Sequence, residues 1–79
     1  MARAVSKDMR QRLAQLAQEF SEGDQLIQEA RGWLLECFGH DEDAADYIET
    51  MTVLGVMIAV ERYHVGGWDH FVELAILTK

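Results

Sequence analysis

From Met51 to Val60 the chain runs through ten residues without a charge. This stretch constrains the fold more than any other. A helix that is apolar on every side has to be buried on every side, so the segment predicts a central element around which the rest must pack. Its β-branched residues (Thr52, Val53, Val56, Ile58, Val60) permit a strand reading. The helical periodicity leading into it, through Tyr47, Ile48, Met51 and Leu54, outweighs that reading.

The segments around it are marked out by glycines, and there is no proline in the 79 residues. Met9, Leu13, Leu16, Ala17 and Phe20 follow one helical face, with Ser6 placed to cap and Asp8 in the first turn, which predicts a helix over 6–21. Asp24 opens a second segment, 24–38. Its stripe is Leu26, Ala30, Trp33, Leu34 and Cys37, widened by Ile27, Leu35 and Phe38, and Gly39 follows as the residue after the C-cap. Asp41 is the expected cap of a long third helix, 41–64. After Gly66–Gly67 comes a fourth segment, 68–78, with Trp68, Phe71, Val72, Ala75 and Ile76 on one face; Trp68 and Phe71 read as core. The expectation is an all-α fold: one helical domain over 1–79, built as a compact bundle of about four helices, with 1–5 a short basic arm.

Such a short chain buries only about 60–65% of its unfolded surface. Domains of this size usually add a disulfide, a metal or a partner. With one cysteine, Cys37, no internal disulfide can form. A lone thiol beside Trp33 and Leu34 reads as a core residue in a reducing, cytoplasmic setting. The surplus of apolar faces on the last three segments then predicts a homodimer, with the third and fourth segments at its interface. No apolar run approaches the roughly 20 residues that span a bilayer, and the basic start is not followed by the apolar core of a signal peptide.

Charge divides the chain unevenly. The whole carries 14 acids against 7 bases, a net charge of −7. Four of the bases, Arg3, Lys7, Arg10 and Arg12, fall within the first twelve residues. The remainder is strongly acidic, which opposes nucleic acid and anionic membrane and favours a basic partner. The densest negative cluster is Asp41, Glu42, Asp43, Asp46 and Glu49, the candidate partner-binding residues. As a calcium loop it fails, lacking glycine at the sixth position and glutamate at the twelfth.

Glu61 and His64 form an E-x-x-H pair, the helical spacing used in di-iron carboxylate bundles. One copy is present, so a metal site would need a dimer, and no resident cofactor is expected. Neither a nucleophile–base pair nor a phosphate-cradling loop is apparent, so no enzymatic activity is expected. In composition the chain is similar to the tiny acidic helical proteins common among phage and mobile-element products. Some of these, anti-CRISPR proteins among them, inhibit host nucleic-acid machinery by covering basic surfaces. The expected function is therefore a protein–protein interaction module that blocks a basic nucleic-acid-handling protein. The alternatives are a dimeric metal-binding protein using Glu61 and His64, and a structural or regulatory subunit docking through apolar helix faces.

Overall fold

The computed structural model describes residues 4–77, and all regular structure among them is helical. Arg3 of the basic arm and Thr78 at the expected end of the fourth segment lie outside the described residues. There are five helices rather than four: α1 (Lys7–Ala17), α2 (Gln25–Cys37), α3 (Glu42–Thr50), α4 (Val53–Tyr63) and α5 (Gly67–Leu77).

The additional helix arises because the segment expected as one helix over 41–64 breaks at Met51–Thr52. Two threonines cause the break by offering the backbone local partners that compete with helix continuation. The Thr50 hydroxyl bonds back to the carbonyls of Asp46 and Tyr47, each at 3.0 Å. Met51 is extended (φ −65°, ψ 143°). Thr52 then starts a new helix, its side-chain oxygen accepting from the Gly55 N–H at 3.0 Å.

The other boundaries follow their caps. Ser6 Oγ accepts from Met9 N at 3.1 Å. Asp41 Oδ1 accepts from Asp43 N at 2.8 Å. Asp24 occupies the N-cap position of α2, yet its carboxylate turns back to accept from Ser21 N at 2.7 Å. Gly39 has the positive φ (+73°) expected of it. Bonds from Gly39 N to Glu36 O and from His40 N to Leu35 O, both 3.1 Å, complete a Schellman end. α1 ends four residues earlier than expected: beyond Ala17 the N–H groups of Gln18, Glu19 and Phe20 reach carbonyls three residues back, so the chain tightens and leaves the helix.

α4 is the hub. It packs against α1, α2 and α5, whereas α3 packs on α2. Val56, Met57 and Val60 of α4 are fully buried, joined by Val53, Leu13, Ile27, Leu34 and Ile48. The expectation that α4 is enclosed on all sides is corrected. Leu54, Gly55, Ile58 and Ala59 are only half-buried, because α3, having broken away, lies against α2 and leaves one side of α4 uncovered. At the other end of the core, Trp68 and Phe71 are buried and stacked with ring centroids 5.7 Å apart, and Phe20 meets Trp68 edge-on at 6.1 Å.

The buried face of α2 is Ile27, Ala30, Arg31 and Leu34, rotated away from the stripe expected. Cys37 therefore lies on the exposed side and is not a core thiol. In its place the interior takes a guanidinium. Arg31 is 8% exposed. Its Nη1 donates to Ile48 O at 2.5 Å and more weakly to Glu49 O at 3.5 Å, and its Nη2 donates to Glu22 Oε2 at 2.5 Å. The last carbonyls of a helix lack internal partners and carry its negative dipole end. Arg31 supplies donors and charge at that place, and so ties α2 to the end of α3.

Truncating Arg31 to Ala should leave the Ile48 carbonyl with only its longer bond from Met51 N at 3.3 Å and open a void, lowering stability by about 1.5–3 kcal/mol. Glu22 is largely solvent-exposed, so Glu22→Gln should cost under about 1 kcal/mol. Urea denaturation of the two variants checks the ranking; equal losses would mean that the ion pair, and not the carbonyl contact, carries the effect.

Candidate functional site

The five acids singled out in the sequence, Asp41, Glu42, Asp43, Asp46 and Glu49, come together at the start and along the length of α3, and all five are exposed. Asp41 is occupied as the cap. Glu42 and Asp43 occupy the first turn, where the helix dipole favours negative charge. At i, i+4 and i+7, Glu42, Asp46 and Glu49 form one stripe. None of the five carboxylates makes an ion pair among the described residues. Two of the chain's bases are engaged elsewhere. Arg12 makes a two-pronged bridge to Asp69 at the start of α5, at 2.8 and 2.9 Å, and Arg31 is held inside with Glu22.

Beside this acidic helix lies a feature that the sequence reading missed. An apolar groove of about 250 Å³ is floored by Leu34, Gly55, Ile58 and Ala59 and rimmed by Phe38, Tyr47, Met51, Arg62 and Tyr63. It exists because α3 and α4 diverge at Met51. Tyr47 is 68% exposed. Phe38 and Tyr63 meet edge-on at 5.5 Å, and the Arg62 guanidinium carbon lies 5.7 Å from the centre of the Tyr63 ring. Asp43, one turn before Tyr47, shares the face of α3 that borders the groove. The available signal was the Thr50-Met51-Thr52 sequence: a break there turns Tyr47 and Met51 into groove walls.

The E-x-x-H pair is placed differently from a shared ligand set. Glu61 Oε1 accepts from Trp68 N at 2.9 Å, so this carboxylate caps α5 from the preceding helix. The two glycines make that approach possible. Gly66 and Gly67 have φ of +87° and +76°; a Cβ on Gly67 would collide with the Glu61 carboxylate, and one on Gly66 with His70. The Nδ1 atoms of His64 and His70 lie 2.8 and 2.7 Å from the Val65 carbonyl, which accepts from both and places their protons on Nδ1. The His64 ring also packs on Trp33, with centroids 4.9 Å apart. Among the described residues no three His, Cys, Asp or Glu side chains are grouped to hold a metal.

Cys37 sits at the exposed end of α2. Partial desolvation, aided by the charge of Glu36, raises its thiol pKa. This disfavours the thiolate that nucleophilic chemistry needs. No helix among the described residues is long and apolar enough to cross a membrane. No protein-family model, curated protein or solved structure matches the chain.

The capping role of Glu61 is open to measurement. Glu61→Ala should destabilise the fold by about 1 kcal/mol through the loss of the acceptor at the α5 N-terminus. Glu61→Gln, which keeps an oxygen there, should lose only part of that. Thermal or urea unfolding that showed the two variants equally impaired would place the effect on the charge.

Proposed function

We propose that this chain is a small acidic interaction module that docks on the basic surface of a nucleic-acid-handling protein and blocks it, as inhibitors made by phages and mobile elements do. It acts in the cytoplasm, where the lone Cys37 stays reduced. The observation that carries this reading is the exposed row of α3 carboxylates that no cation among the described residues pairs with. Phosphates are what a basic nucleic-acid channel normally receives, and a rigid row of carboxylates offers it a comparable potential. The net charge of −7 adds long-range attraction to a basic surface.

Capture from bacterial lysate, at low and high salt and with nuclease, names the target. With that target in hand, the double variant Asp43→Lys, Asp46→Lys should bind at least about tenfold more weakly and associate more slowly, with a shallower salt dependence. Both substitutions are at exposed sites, so circular dichroism should show the helices intact. An unchanged affinity and salt slope would overturn the acidic-face reading.

A second reading rests on a separate observation. On α5, Leu74, Ile76 and Leu77 are 42, 65 and 78% exposed. Their exposure at the end of α5 supports a homodimer, or a subunit docked in a larger assembly through this end of the helix. If the chain self-associates here, sedimentation equilibrium should show a dimer that Ile76→Glu converts to monomer. A wild-type protein that stays monomeric at high micromolar concentration would remove the dimer.

A further inference from the structure

We infer that the groove between α2, α3 and α4 is the socket for an amphipathic, basic segment of the partner: its apolar anchors enter the groove, and its lysines or arginines lie along α3. This rests on the acidic-module reading above and adds the source of specificity, which charge alone does not supply.

Three properties of the groove favour this occupant. The first is its rim. Aromatic residues, methionine and arginine are the types enriched in protein–protein contact surfaces, and the rim combines Phe38, Tyr47, Tyr63, Met51 and Arg62. Three of the large apolar side chains left exposed by the fold, Phe38, Tyr47 and Tyr63, meet here. The second is size. At about 250 Å³ the groove falls below the roughly 300–1,000 Å³ of small-molecule pockets and suits inserted side chains. The third is electrostatic. Asp43, one turn before Tyr47, borders the groove on α3, and Asp46 lies further round toward the outer acidic stripe. Arg62 is a base on the facing rim, and α2 ends at Phe38 with no base in its last turn, so its negative dipole end is left for a partner's cation. Two copies packed groove to groove about a two-fold axis would bring a second acidic α3 toward this wall and meet repulsion. An amphipathic basic helix presents apolar anchors at i, i+3, i+4 and i+7 with cations on the flank, which matches a groove with an acidic wall.

The test uses the full chain and three fluorescein-labelled synthetic peptides. One is an amphipathic helix of leucine, lysine and alanine with the leucines on one stripe. The second has the same composition in shuffled order. The third replaces its lysines by glutamates. Binding is read by anisotropy and mapped by amide and methyl chemical shifts. The amphipathic lysine peptide should bind and shift Met51, Ile58 and Tyr63, with the shuffled peptide at least about tenfold weaker. Tyr47→Ala, at an exposed site, should weaken the amphipathic peptide about tenfold. Asp46→Lys should weaken both lysine peptides alike. If the shuffled peptide binds equally well and Tyr47→Ala changes nothing, the groove proposal falls while the acidic-face reading stands. If neither lysine peptide binds, or the glutamate peptide binds as well as the lysine one, both fall. Protection of the groove by self-association would also overturn the proposal.

Discussion

The arrangement of the helices depends on the Arg31 guanidinium. Breaking the chain at Met51–Thr52 deprives the carbonyls at the end of α3 of their usual donors four residues on, leaving Ile48 O a long bond from Met51 N at 3.3 Å, and a buried carbonyl left unpaired costs about 1–3 kcal/mol. Arg31 reaches Ile48 and Glu49 from α2, while Thr50 covers Asp46 and Tyr47. Because the donor comes from α2, α3 must lie on α2. It cannot also cover α4, and the two consequences that shape the surface follow: the outer face of α3 is turned to solvent, and one side of α4 becomes the floor of a groove. The charge remains affordable inside because Glu22 meets it at the protein edge, where the carboxylate is still largely hydrated.

A similar economy governs the opposite end of the bundle. The turn into α5 is so tight that both residues of Gly66–Gly67 take positive φ, and the absence of side chains lets Glu61 approach the new helix. That carboxylate replaces the conventional capping residue and directs Trp68 and Phe71 into the core, against Phe20 and Trp33. The pair that looks like half of a metal-binding motif in the sequence is thereby explained by local structure: Glu61 ends one turn by starting the next helix, and His64 packs on Trp33 while donating to Val65 O.

Much of this architecture was legible in the sequence. Hydrophobic periodicity placed the helices, and Ser6, Asp41 and Gly39 marked their ends by mechanisms that the structure reproduces. The centrality of 53–60 followed from its lack of charge. What could not be read was tertiary. Thr50 and Thr52 sit in a strongly periodic run, and the break that their side chains make is completed by the carbonyl contacts of Arg31 from another helix. Arg31 itself is a single base in an otherwise apolar face, which by composition alone would be assigned to solvent. Once it turns inward, α2 rotates, Cys37 moves out and Phe38 reaches the groove. The acidic residues were identifiable individually; the apolar groove beside them was not, since Tyr47 and Met51 become its walls only after the break.

The distribution of charge gives the acidic-face reading its physical weight. Like charges spaced i, i+4 weaken a helix by a few tenths of a kcal/mol per pair, and Glu42, Asp46 and Glu49 stand at such spacings. Solubility would be served as well by the same acids dispersed over the surface, or by acids interleaved with bases. Here Arg12 and Arg31 are drawn off instead, to Asp69 and Glu22, while the shortest helix collects carboxylates that no described cation answers. A helix of nine residues held chiefly against α2 has little stability to spare. Retaining uncompensated repulsion on that helix is the expected cost under the proposed docking, in which a cationic partner would recover it as affinity and the apolar groove alongside would select among cationic partners.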